Sequence, residues 1–188
     1  TNEINFFGES IDLRFFYGIF IIISFTGFTN ATNLTDGLDG LLGGTSAIIT
    51  TGITVLAFIN KNYHVMYFGI SLLTGILAFL IFNLPRARIF MGDTGSLAIG
   101  AALFSMLLCL NMDVLIFVFG IIYLVETISV MLQVWFFKKT SGERLFKMSP
   151  FHHHLELSGL KDFQIDIIFW IITLICTIFA CILGVRVF

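Results

Sequence analysis

Apolar residues along this chain fall into six long runs separated by short polar or glycine-bearing breaks. The runs cover roughly 14–31, 41–60, 64–84, 95–111, 113–137 and 165–186. Each approaches the about 20 mostly apolar residues that a helix needs to cross a bilayer. The second is interrupted by threonines and glycines and the fourth is short. Both suit a bundle interior, where small residues let helices approach closely. The first twelve residues are polar, carry Glu3, Glu9 and Asp12, and read as an extramembrane strand, hairpin or loop. The pattern predicts an all-α, polytopic integral membrane helical bundle of about six transmembrane helices, forming a single membrane domain over 1–188.

Composition sharpens this picture. Of 188 residues, 57% are hydrophobic, 15% aromatic and only 12% charged, against about 25% charged in a soluble domain. Mean hydropathy is +0.99. These values exclude a disordered chain, a nucleic-acid-binding domain and a disulfide scaffold. Cys109, Cys176 and Cys181 all lie inside apolar runs and read as packing residues. A formal charge of -2 names no partner by itself. The chain opens on Thr1 rather than Met, so it is expected to be a piece of something longer or to lack its start.

The distribution of charge says more. Arg86, Arg88, Lys138, Lys139, Arg144, Lys147 and Lys161 lie in one alternating set of connections; only Arg14, Lys61 and Arg186 lie in the other. Basic bias marks the cytoplasmic side. The segments near 30–40, 83–95 and 138–164 are therefore expected to face the cytoplasm together, and residues 1–13 the outside.

Those three segments hold the unusual residues. In the first, Asn30, Asn33, Asp36 and Asp39 recur every three positions. Steps of three on a helix keep neighbours adjacent while rotating the row by about 60° each, so Asn30 and Asn33 are expected on one side of the first span's end. Gly37 and Gly40 favour a helix break and close approach by a ligand. A plain N-cap for the next helix explains Asp39 alone, but not four polar side chains. In the second segment Pro85 ends the third span and Asp93 opens the fourth. Asp93 suits either a cap or a Mg²⁺ ligand whose remaining oxygens come from substrate phosphates. Phe90, three residues earlier, is placed to stack on a base.

In the third segment His152, His153 and His154 are consecutive, and ligands one residue apart on a helix point about 100° apart, which argues against a helical zinc site. Histidines in a basic segment instead offer hydrogen bonds or charge to a diphosphate, with a headgroup-binding loop as the alternative. Within the fifth span Glu126, Ser129 and Gln133 share one helical face. An ionisable residue inside a span is expected to face a polar interior.

The stretches NATNLTDGLDGL, FNLPRARIFMGDTGSLAIG, VETISVMLQV and RLFKMSPFHHHLEL resemble the bacterial phospho-N-acetylmuramoyl-pentapeptide transferases, of the polyprenyl-phosphate N-acetylhexosamine-1-phosphate transferase superfamily. The resemblance runs from about Phe25 to the C-terminus. It implies a ten-helix family fold, of which this chain matches the last six, in the bacterial plasma membrane with the site on the cytoplasmic face. It implies transfer of phospho-N-acetylmuramoyl-pentapeptide from UDP to undecaprenyl phosphate, giving lipid I and UMP. It implies Mg²⁺ on Asp93, Asn33 and Asp36 at the pyrophosphate, and a catalytic role for His152. Gly37, Leu38, Asp39, Asn83, Phe90 and Gln133 would line the uridine pocket, with His153 beside the diphosphate. Asn30 and His154 complete the substrate-binding candidates. The resemblance also implies a homodimer, as for many members, and no nucleic acid.

The family carries a further Asp pair followed by a Lys on an earlier cytoplasmic loop, and nothing here matches it. The chain is therefore expected to be the C-terminal part of such an enzyme and inactive alone. The rival readings are a sister transferase for UDP-N-acetylglucosamine, or a non-catalytic membrane fragment that binds nucleotide. A transporter would need polar residues at mid-membrane on several helices, and only the Glu126 face offers any.

Overall fold

The computed structural model describes residues 3–6 and 9–187. Strands β1 (Glu3–Phe6) and β2 (Glu9–Asp12) pair antiparallel, with Glu3 opposite Asp12. The polar start is thus a hairpin. Eight helices follow: α1 (Leu13–Thr35), α2 (Leu41–Ile59), α3 (Tyr63–Asn83), α4 (Gly92–Cys109), α5 (Ile116–Phe119), α6 (Ile121–Lys139), α7 (Phe151–Glu156) and α8 (Asp162–Val187). Helices α2, α3, α4, α6 and α8 are long and apolar enough to cross a membrane. The remaining expected span, the first, corresponds to α1, which has 23 residues but polar final turns at Asn30, Thr32, Asn33 and Thr35. This is a multi-pass membrane protein.

Helix α2 is the centre of the bundle, packed mainly on α3 and α8. Its glycines make this possible. Gly43 receives Leu80 of α3, Gly44 receives the Trp170 indole of α8, and Gly52 faces Thr177 and Phe119. No hydrophobic drive separates a Leu–Leu contact from a Leu–lipid contact, so close approach at small residues holds such helices together. The threonine hydroxyls of α2 bond back to their own helix, Thr45 to Leu41 O (2.9 Å) and Thr51 to Ala47 O (2.8 Å). They therefore need no water in the bilayer. The apolar core includes Leu41, Ile49, Ile53, Leu103, Phe104 and Phe119. Ile22, Ile23, Tyr67, Ile81 and Met131 point outward, as lipid-facing side chains do.

The second tight pair is α1 with α4. Here Gly100 lies against Thr29 and Thr32, and a Cβ at Gly100 would stand 2.9 Å from the Thr29 Cα. The pair is also stitched by polar bonds, since Thr32 Oγ1 donates to Ser96 O at 3.1 Å.

The fifth apolar run is not one helix. A 3-10 turn at Asp113–Leu115 leads into α5, and the chain breaks at Gly120 before α6. At Gly120 the Phe28 ring of α1 occupies the space where a side chain would stand, so glycine is what fits at the break. At one end of the bundle, Asn62 Nδ2 donates to Cys109 O (3.4 Å) and Tyr17 Oη donates to Asp113 Oδ1 (3.1 Å). At the other end, the segments following α1, α3 and α6 converge.

Candidate active site

Helix α1 delivers Asn33 and, one residue past its end, Asp36. Helix α4 delivers Asp93 in its first turn. Asn33 Nδ2 donates both to Asp93 Oδ1 (3.0 Å) and to Ser96 Oγ (2.9 Å). Asp36 accepts from the Gly92 backbone N–H. Its carboxyl is pushed above the usual carboxylate range, first by burial and then by the Asp93 charge, against the opposing Gly92 bond. The α1–α4 packing at Gly100 therefore holds two carboxylates at one spot. Asp93 does not cap α4: that position is Met91, and no side chain caps the helix. Gly92 has φ 67°, a left-handed conformation that favours glycine. It lies at the α4 N-terminus beside the pocket, where the helix dipole suits an anion.

The loops lock to each other beside this pair. Asn83 is buried. Its Oδ1 accepts from Gly40 N–H (3.0 Å) and its Nδ2 donates to Ile89 O (3.0 Å), fixing the α1–α2 turn to the α3–α4 loop. Asp39 Oδ2 accepts from Ala87 N–H at 2.9 Å. Asp39 is thus a loop brace rather than the cap of α2, whose N-cap is Gly40 without a side-chain bond. The result is a polar pocket of about 240 Å³ lined by Asn33, Asp36, Gly37, Leu38, Asp39, Asn83, Phe90, Met91, Gly92 and Asp93. Phe90 is 77% exposed at its edge, free to stack on a planar group.

His152 stands directly behind Gly37. Both His152 and Glu126 are fully buried. Glu126 Oε2 is 3.1 Å from His152 Nδ1, and its oxygens accept from the His152 backbone N–H at 3.2 and 3.4 Å. A carboxylate on Nδ1 keeps the proton there and turns Nε2 outward as the working nitrogen. That Nε2 is buried with no partner and lies against Gly37, where a side chain would collide with the ring. Gly37 is therefore a matter of space, whereas Gly92 is a matter of backbone.

The other expected residues lie elsewhere. Asn30 is on the exposed face of α1 and bonds to Thr26 O (2.7 Å). The His153 ring packs at a tilt against His152, with centroids 4.2 Å apart, and its Nδ1 bonds Glu156 (3.0 Å). His154 Nδ1 accepts from Lys147 N–H (3.1 Å), and its ring stacks on Phe151. Gln133 braces Phe146 through both its amide atoms and lines a different cleft. The sequence reading missed the Asn33 partner Ser96 and the pocket residues Met91 and Gly92. It also missed Asp166, fully buried with both carboxylate oxygens unpartnered; an acid inside the start of an apolar run was the available signal.

Among the described residues, no three His, Cys, Asp or Glu side chains gather to hold a metal. Asp36 and Asp93 offer oxygen donors only. Mg²⁺ commonly takes one or two carboxylates and fills its shell with water and substrate phosphates, so the pair fits that ion.

Known proteins resemble this chain closely. Phospho-N-acetylmuramoyl-pentapeptide-transferase of Listeria innocua is 44% identical over 180 residues, covering 96% of this chain and 56% of that protein. The protein of the same name from Lactococcus lactis is 42% identical over 187 residues, covering 96% and 57%. That from Enterococcus hirae is 45% identical over 175 residues, covering 93% and 54%. The chain thus spans about half the length of the curated relatives it matches. The profile of glycosyl transferase family 4 matches residues 1–111, more than half of the chain, and the chain belongs to that family.

Proposed function

We propose that this chain supplies the donor-binding and metal-binding part of a phospho-N-acetylmuramoyl-pentapeptide transferase. The reaction moves the phospho-sugar-peptide from UDP to undecaprenyl phosphate at the cytoplasmic face of the bacterial plasma membrane and releases UMP. The observation that carries this reading is the facing of Asp36 and Asp93 across one small polar pocket, in a chain 44% identical to enzymes of that name.

Phosphoryl transfer rests on positioning and charge neutralisation. Mg²⁺, when bound, supplies a positive charge that offsets charge on the diphosphate and the departing UMP. Asp93 and Asp36 would hold it. Asn33 keeps Asp93 turned toward the pocket through its 3.0 Å bond. The α4 N-terminus would take a phosphate oxygen on its backbone N–H groups. Phe90 would stack on uracil, while Asn83 and Asp39 keep the two loops at a fixed separation. Glu126 would orient the His152 ring so that its Nε2 lone pair can take a proton from the acceptor phosphate. The acceptor is already a phosphate monoester, so a strong base is unnecessary. Its lipid tail explains why the site lies at the end of a membrane bundle.

The test is radiolabelled lipid I formation in detergent from UDP-N-acetylmuramoyl-pentapeptide, undecaprenyl phosphate and Mg²⁺. It is run with the chain alone and co-expressed with the N-terminal part of a close relative. Product on co-expression, lost in Asp93→Asn, is the expected result. Near-normal turnover of Asp93→Asn in a folded protein would refute the metal assignment. Preference for UDP-N-acetylglucosamine would move the chain to the sister activity.

A further inference from the structure

A second cleft, sharing no lining residue with the acidic pocket, opens at the end of α6. It has a volume of about 340 Å³ and is bordered by Gln133, Val134, Phe137, Lys138, Arg144 and Met148. One half is cationic and the other apolar. Lys138 and Arg144 are exposed, and among the described residues no carboxylate forms an ion pair with either. An Arg144 guanidinium nitrogen donates to Lys147 O at 3.2 Å, which holds the fork at the cleft. One turn away, Lys139 Nζ lies 4.8 Å above the Trp135 ring. Exposed Trp beside Lys at the end of an apolar helix marks the membrane–water interface. Two unpaired cations beside an apolar wall at that depth match a phosphate that carries hydrocarbon chains.

We propose that this cleft binds the headgroup phosphate of one anionic bilayer phospholipid per chain. The charge complementarity and the interfacial position favour this occupant. Its position also has a consequence. Gln133 holds the far wall through Phe146 (2.8 and 3.3 Å), and the neighbouring Lys147 N–H donates to His154. A lipid that clamps Lys138 to Arg144 therefore braces the segment leading into α7, which carries His152.

The experiment is native mass spectrometry of the chain in detergent, titrated with dioleoyl phosphatidylglycerol or dioleoyl phosphatidylcholine. One phosphatidylglycerol is expected to bind tightly and phosphatidylcholine not. K138Q/R144Q is expected to bind about thirtyfold more weakly, two basic contacts of ordinary interfacial strength. R144K and the distant K61Q are expected to bind as the parent chain does, and circular dichroism confirms the fold of each variant. If the double variant does not fold, K138Q alone is read, with about a fivefold loss expected. Unchanged binding in the folded variants overturns the proposal, and so does equal binding of phosphatidylcholine. Displacement of phosphatidylglycerol by equimolar undecaprenyl phosphate also overturns it and gives the cleft to the acceptor. The readout is binding alone, so failure here leaves the transferase reading untouched.

Discussion

Glu126 is where stability and chemistry are joined most tightly. Its carboxylate receives the His152 Nδ1–H at 3.1 Å and the first-turn backbone N–H of α7 at 3.2 and 3.4 Å, with both residues shut off from solvent. Removing one partner of such a buried pair costs about 3–5 kcal/mol, because the group left behind stays desolvated. At about 2–4 °C per kcal/mol for a chain of this size, Glu126→Ala is expected to lower the melting temperature by roughly 6–20 °C. Glu126→Gln separates the two roles. Its amide oxygen still accepts the backbone N–H, so about 1–2 kcal/mol is expected to be lost. Its amide nitrogen, however, donates where the carboxylate accepted. The His152 ring must then carry its proton on Nε2, the wrong tautomer for a nitrogen that presents a lone pair. Turnover is expected to fall by about 10²–10⁴, the range for a misassigned general acid–base group. Scanning fluorimetry in detergent reads the first effect and ¹⁵N chemical shifts of labelled histidine rings read the second. An unchanged melting temperature for Glu126→Ala, or a fully active Glu126→Gln with an unmoved His152 tautomer, would refute the reasoning.

Two further outcomes follow from the pocket. Gly37→Ala places a methyl against the His152 ring, 2.8 Å from Cε1; overpacking of this kind costs about 1–3 kcal/mol, and calorimetric titration with UDP is expected to show weakened binding as the ring and loop shift apart. Asp36→Asn removes a carboxylate whose ionisation the fold resists through burial and the Asp93 charge. Its thermal stability is expected to exceed that of the parent chain while activity is lost. The gap should be absent at pH values where Asp36 is protonated in both states. It should open as pH rises above the unfolded carboxylate's value and level off once the raised folded value is passed. A gap that shrinks with rising pH contradicts this account.

The spans were legible in the sequence because hydropathy is a property of composition over about twenty residues, and composition survives without knowledge of contacts. The break at Gly120 was not legible. The apolar run continues through it, and the ring that excludes a side chain there sits on α1, some ninety positions earlier in the chain. The acidic pocket was legible as residue types, since four Asn and Asp side chains in the segment after the first span are more than capping needs. The orientation of its members was not. A step of three turns a helix about 60° short of a full circle, so Asn33 meets α4 while Asn30 faces outward. The Glu126 stripe announced a polar interior, but its partner lies 26 positions away on a six-residue helix that no periodicity marks.

The same contrast explains how the site is held. Asp36 and Asp93 repel each other, and a fold that tolerates this at a helix junction must supply rigid support. The support is the α1–α4 contact, Gly100 against Thr29 and Thr32, reinforced by Thr32 and Asn33 reaching across to Ser96 and Asp93. Two like charges fixed by a close helix contact suit a cation, because the charge that relieves their repulsion then arrives from outside. His152 is held differently. It sits on a short helix tied to α6 by the Glu126 carboxylate, while Gln133 of α6 fixes Phe146 in the loop before that helix. The carboxylate side of the site is therefore built into the α1–α4 packing, and the histidine side into the contact of α6 with α7.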